Sequence, residues 1–351
     1  MHTCAFRQMS KRRISIQDIA RRAGVAHTTV SRALRDNPLI SPKVREEIKQ
    51  LAQEMGYVPN GIAQSLQNQR TNTIGVVVTS IADPFFAEVV EGIEKIAKSA
   101  GISVLLSASH QDVEQEIAAI DNFYRRRVDG ILVADSHISK QHLNQIAQIA
   151  VPTVLLNSQT EELPQFHFVT IENKIGAQLA VEHLIKLKHT AIGYIGISNR
   201  SKSNQQRQEG YRTALNEAGL PQNPDWVAIS AAKYVSTSDV DTGKQMVAQL
   251  VDAGVTSIFC YNDMVAVGAL LACQKLGITV PQELSLVGFD GIALAQYVTP
   301  PLTTVRQPML EMGCYAAQML LDLVQEKSVE NRVLLPVLVA GGSSTICLLK
   351  K

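Results

Sequence analysis

From residue 73 onward, seven short apolar runs punctuate the chain: T-I-G-V-V-V (73–78), S-V-L-L-S (103–107), G-I-L-V-A (130–134), T-V-L-L-N (153–157), A-I-G-Y-I-G (191–196), S-I-F-C-Y (257–261) and S-L-V-G-F-D (285–290). Their apolar residues run on without regular polar alternation, the pattern of strands buried on both faces. Between most of them lie helical stretches such as 85–99, 113–127 and 176–186. Buried strands with helical crossovers form parallel sheets covered on both sides. The segment spans about 280 of the 351 residues, more than one such core usually holds, so two similar subdomains are expected. Ligands of open α/β sheets gather at the carboxyl ends of the strands. Those ends carry residues 80–86, Asp135 and Ser136, Asn157, Glu172 and Asn173, residues 198–200, Asn262 and Asp263, and Asp290.

The first 70 residues follow another pattern. They contain twelve Lys or Arg against five Asp or Glu, which leaves 21 against 27 for the rest, so the overall +1 conceals a basic head on an acidic body. A segregated basic head suits a polyanion. Within it, Ser15 and Asp18 have capping-box spacing, and Ile16, Ile19, Ala20 and Ala23 share one helical face. Gly24 supplies the left-handed corner that ends this helix. A second helix from Ala26 or His27 turns Val30, Ala33 and Leu34 inward and leaves His27, Thr28, Ser31, Arg32 and Arg35 outside. Ser41 and Pro42 head a third helix, with Val44, Ile48, Leu51 and Met55 inward and a stop at Gly56. Residues 16–35 read as a helix-turn-helix, whose second helix enters the major groove of DNA. An ordinary helical hairpin with a basic face has the same local pattern.

Several classes of function lack their signatures. The chain contains no G-x-x-x-x-G-K-[ST], G-x-G-x-x-G, H-E-x-x-H or G-x-S-x-G, which disfavours an enzyme, and nothing points to a cofactor or metal. Cys4, Cys260, Cys273, Cys314 and Cys347 are odd in number and scattered, unlike a disulfide framework or zinc site, and suit a reducing cytoplasm. There is no run of about twenty apolar residues to span a membrane, and the N-terminus has no leader-like apolar core. A cytoplasmic, nucleoid-associated protein is therefore expected. The C-terminal end lacks a heptad tail for a coiled coil, so a dimer is expected.

The run D-I-A-R-R-A-G-V-A-H-T-T-V-S-R-A-L (18–34), followed by G-Y-V-P-N-G-I-A-Q-S-L (56–66), resembles the lactose-repressor (LacI/GalR) family of bacterial transcription regulators. The similarity extends from about Ser15 over nearly the whole chain. It implies a small all-α helix-turn-helix head on an α/β, periplasmic-binding-protein-like body of two parallel-sheet subdomains. The expected divisions are a basic tail (1–13), a DNA-binding domain (14–58), a hinge helix or linker (59–71) and an effector-binding and dimerisation domain (72–351). The last divides into an N-subdomain of about 72–172 and 303–335 and a C-subdomain of about 173–302 and 336–351.

The resemblance also implies roles for residues. His27, Thr28 and Arg32 would read base edges, Thr29 and Ser31 would touch phosphates, and Arg35 would lie on the same face. From the hinge, Asn60, Ala63 and Leu66 would reach DNA, Leu66 as a wedge in the minor groove; alternatively, Leu66 packs within a linker. In the body, Phe85 or Phe86 would stack on an effector, with Tyr234 as a second aromatic wall. Arg207, Asn262 and Asp290 would bond its polar groups, joined by Asp135, Glu172 and Gln307. Two of these have simpler readings: Asn262 as the cap of the next helix, and Asp290 as the partner of the turn at Gly291. The implied protein is a homodimeric regulator, a repressor in the family's usual sense, that binds a near-palindromic operator in double-stranded DNA under control of a small polar, sugar-like effector. A soluble ligand-binding protein without operator function is the alternative. Ala26, where the family usually has Ser or Thr, and helix-weakening Gly61 depart from the family pattern.

Overall fold

The computed structural model describes residues 14–57, 70–135, 151–158, 166–198, 201–230 and 238–344. The expected tail, almost all of the hinge with Asn60, Ala63 and Leu66, and Tyr234 lie outside these residues. The chain divides into a unit of Met1–Thr71 and a unit of Asn72–Lys351.

In the first unit, α1 (Ile16–Ala23), α2 (His27–Ala33) and α3 (Pro42–Glu54) form a three-helix cluster. The capping box forms as expected: Ser15 Oγ accepts from Asp18 N at 3.3 Å, and Asp18 Oδ2 accepts from Ser15 N at 3.0 Å. Gly24 closes α1 at φ +64°, and Ala26 heads α2 without a side-chain cap. Ile19, Val30, Ala33 and Ile48 are buried at the centre, with Val25, Leu34, Val44 and Leu51 packed around them. An ordinary hairpin has no such shared core; the third helix completes it.

The described residues of the second unit form two six-stranded sheets. The first has the order β11-β5-β4-β3-β1-β2, from β1 (Thr73–Val78), β2 (Ser103–Ala108), β3 (Gly130–Ala134), β4 (Thr153–Leu156), β5 (His167–Ile171) and β11 (Arg332–Leu334). All its pairings are parallel. The second has the order β12-β10-β9-β8-β6-β7, from β6 (Ile192–Gly196), β7 (Val227–Ile229), β8 (Ser257–Cys260), β9 (Ser285–Asp290), β10 (Thr303–Arg306) and β12 (Val337–Val339). Among the described residues, its one antiparallel pairing is β10 with β12. Strands β1, β3, β4, β6, β8 and β9 are almost wholly buried, as continuous apolar runs require.

The described residues of the unit also form helices α4 (Pro84–Ser99), α5 (Val113–Arg125), α6 (Asn173–Lys186), α7 (Ser201–Glu217), α8 (Asp239–Asp252), α9 (Asp263–Leu276), the short α10 (Leu294–Tyr297) and α11 (Met309–Val324). Helix α11 packs on α4, and α8 on α9. The chain passes between the sheets after Ile171, after Arg306 and between Leu334 and Val337. This corrects one expected boundary: residues 303–306 belong to the second sheet, paired in parallel with β9, and the return to the first sheet follows them. Thr303, fully buried, ties β10 down through its N–H to Ser343 Oγ (2.7 Å) and its hydroxyl to Ser344 Oγ (2.8 Å). The partner of a four-residue strand is not written in its own pattern.

Candidate functional site

On the head, α2 buries Val30 and Ala33 and presents the opposite face. His27, Thr28, Arg32 and Arg35 are exposed on it, while Thr29 and Ser31 are half-buried. Ser31 Oγ accepts a hydrogen bond from Arg35 Nη2, so these two form one polar unit. Asp36 lies apart from that face, bridged to Lys49 at 2.6 Å, a bond that holds its carboxyl below the usual range. The face is polar and cationic, with a guanidinium at 32 able to bond a guanine in bidentate fashion.

In the body, the second sheet assembles a buried charged cluster at its strand ends. Arg207 projects from α7 and is only 2% exposed. Its Nη1 lies 3.7 Å from Asp290 Oδ1 and donates to the Tyr261 carbonyl, and its Nε donates to Asn173 Oδ1 at 3.0 Å. The guanidinium carbon sits 3.7 Å from the Phe289 ring centroid and 4.4 Å from that of Tyr261. Gln307, just past β10, donates from Nε2 to Asp290 Oδ1 at 2.6 Å. Thus Arg207, Asp290 and Gln307, expected at one effector site, lie together, and φ of Asp290 is +112°, a strained value for a non-glycine residue.

Asn262 belongs to an adjoining network. Its Oδ1 caps α9 by accepting from Val265 N at 2.9 Å, as the simpler reading expected, while its Nδ2 donates to Asp239 Oδ2 at 2.7 Å. The turn at Gly291 is satisfied not by Asp290 but by Asp263, whose Oδ2 accepts from Gly291 N (2.7 Å) and Ile292 N (2.9 Å). Asp263 Oδ1 accepts from the Thr304 hydroxyl at 2.6 Å, and burial pushes the Asp263 carboxyl up to about 7.

The other predicted residues fall on the first sheet or between the two. Asp135 directly follows β3 at φ +51° and is buried. Glu172 precedes α6 without a capping bond. Phe85 and Phe86 meet edge to face, centroids 5.0 Å apart, and both are buried in the main core. The first turn of α4, pinned by the Asp83 cap, directs both rings inward. Asn173, Tyr261, Phe289 and Asp263 complete the cluster but were not singled out as contacts. Their one signal was position, next to or at a strand end.

Against known proteins, residues 15–60 match "Bacterial regulatory proteins, lacI family" and residues 181–344 match "Periplasmic binding protein-like domain". Catabolite control protein A of Priestia megaterium is 32% identical over 91% of this chain and 95% of its own. The chain belongs to the LacI family of bacterial regulatory proteins. Among solved structures, the lac repressor dimer bound to operator and the anti-inducer ONPF superposes with a TM-score of 0.84, at 27% identity, over 95% of this chain and 100% of that one. A LacI family transcriptional regulator from Enterococcus faecium with bound ribose gives 0.70, at 29% identity, over 78% of this chain and 99% of that one. This LacI-family chain is a transcriptional regulator rather than an enzyme. No helix among its described residues is long and apolar enough to cross a membrane.

Proposed function

We propose that this LacI-family regulator binds a near-palindromic operator as a homodimer, at the nucleoid, and that a small polar, sugar-like effector in the body controls its DNA affinity. One observation carries the reading: a basic three-helix head with a polar cationic face on α2 is joined in one chain to a body whose strand ends gather Arg207, Asp290 and Gln307. Two-fold symmetry gives each head one half-site. His27, Thr28 and Arg32 read base edges; Thr29 and the Ser31–Arg35 pair meet phosphates. The hinge, residues 59–71, completes the contact through Asn60, Ala63 and the Leu66 wedge. It is too short for a helix stable alone, so a small change in the spacing of two paired hinges changes affinity. The guanidinium, carboxylate and amides at 207, 290, 262 and 307 suit a ligand bearing several hydroxyl or amide groups; Asp135, Glu172 and Tyr234 add to its walls.

The test is fluorescence anisotropy on labelled palindromic fragments of the gene's own upstream region. Specific DNA should outbind random DNA by about a thousandfold, and affinity should fall steeply as salt rises to physiological strength. Ribose, cellobiose, gluconate and hypoxanthine, added in turn, identify the effector class by the change in operator affinity. No preference for any palindrome would leave a ligand-binding protein without operator function.

A further inference from the structure

Asp263 is fully buried, yet none of its described hydrogen bonds comes from a cation. Two of its three donors are the backbone amides of Gly291 and Ile292, directly after Asp290; the third is the Thr304 hydroxyl on the neighbouring strand. Space for it is reserved, because a Cβ on Gly288 would collide with Asp263 Oδ1. Asp290, one residue before the clamped amides, holds φ +112° and meets Arg207 and Gln307. A backbone in a sparsely populated region persists only where its surroundings over-determine it. The Asp263 carboxylate is such a determinant, since it fixes the peptide groups on the far side of the strained residue.

We propose that Asp263 is the positioning residue of the effector site: its carboxylate clamps the turn at Gly291 and Ile292 and so holds Asp290 against Arg207 and Gln307. The inference rests on the reading of Arg207, Asp290 and Gln307 as that site. The clamp also carries a proton dependence. Burial pushes the Asp263 carboxyl up to about 7, while Thr304, the two amides and Arg207 pull it down. The charged and titratable groups around it are Arg207 on α7, Asp290 on β9, Asp239 beyond Asn262 on α8, and Cys260 on β8. The ionised carboxylate accepts from all three donors, whereas a proton occupies one accepting position. The clamp is therefore complete above pH 7 and weakened below it.

Calorimetric titration of the full chain with ribose, cellobiose, gluconate and hypoxanthine, from about pH 6 to 8.5, tests this. For the compound that binds wild type, affinity should rise with pH through about 7. In Asp263→Asn it should fall about tenfold or more and become independent of pH. Thr304→Val keeps the carboxylate but removes a donor that lowers its proton affinity, so the midpoint should move to higher pH. Wild-type affinity and pH profile in Asp263→Asn overturn the proposal. Asp290→Ala checks the underlying reading separately: unaltered binding there removes the site whatever Asp263 does. If none of the four compounds binds, hydrogen exchange over residues 286–298 decides. Exchange at the Gly291 and Ile292 amides about tenfold faster in Asp263→Asn, with the rest of the chain unchanged, supports the clamp, and unchanged protection overturns it.

Discussion

Replacing Arg207 by Met removes the charge of a buried ion pair while keeping much of the side-chain volume. At 3.7 Å and an effective dielectric of about 20, the attraction to Asp290 is about 4 kcal/mol. Desolvation of both groups offsets much of this, but removal of one partner leaves a buried carboxylate uncompensated, which costs about 3–5 kcal/mol. Met also abandons the Asn173 and Tyr261 acceptors. Asp290→Asn keeps an oxygen that can accept from Gln307 and should cost less. In the double variant neither charge is left alone, so a coupling energy of about 2–3 kcal/mol is expected from the cycle. Urea unfolding measures it, followed by the single tryptophan, Trp226, whose Nε1 donates to Ala253 O at 3.0 Å and reports on the second subdomain. The midpoints should move with the urea slope unchanged. A coupling below about 0.5 kcal/mol would show that Arg207 and Asp290 are neighbours without being energetic partners.

Asp263 should make stability depend on pH. Its folded carboxyl titrates near 7 against an ordinary 3.8, so between those values the folded chain binds the extra proton. The wild type should thus lose stability relative to Asp263→Asn as pH rises from about 4 to above 7, by up to about 4 kcal/mol, and a parallel pH dependence of the two would refute this. Gly268→Ala would drive a methyl into the Val240 carbonyl and push α9 off α8; a loss of about 1–3 kcal/mol is expected in urea unfolding, against a gain of up to about 1 from helix propensity alone. Arg32→Ala should cost about 1–3 kcal/mol of operator affinity and relax preference at one base pair, whereas a uniform loss on all sequences would make Arg32 a phosphate contact. Leu66→Ala should weaken operator binding in anisotropy while effector affinity stays constant; undiminished operator binding would remove the wedge role.

The head was legible because its information is local. Ser15, Asp18, Gly24, Ser41 and Pro42 act on residues within a turn of themselves, and each sits where its chemistry placed it. The apolar runs likewise marked seven strands: six are buried on both faces, which leaves a mark in composition, while β2, at the sheet edge, is partly exposed despite its apolar run. Strands β5, β7, β10, β11 and β12 escaped that reading. They are short, β11 and β12 are largely exposed, and His167–Ile171 and Thr303–Arg306 mix polar with apolar residues.

For the candidate ligand site, strand-end position pointed to Asn262 and Asp290, and the family resemblance added Arg207 and Gln307, but their partners could not be read. Asn262 and Asp263 are consecutive, yet one caps its own helix and the other reaches across to a turn after β9. Asp290 and Gln307 meet only because β9 and β10 lie side by side in register. By itself, then, the sequence determined the helix caps, the buried strands and the basic character of the head, all set by neighbours along the chain. Tertiary structure alone decided which sheet residues 303–306 join, that Phe85 and Phe86 are core, and that Asp263 rather than Asp290 holds the Gly291 turn. Those outcomes depend on strand pairing and on which groups share a desolvated space, and neither has a signature in spacing.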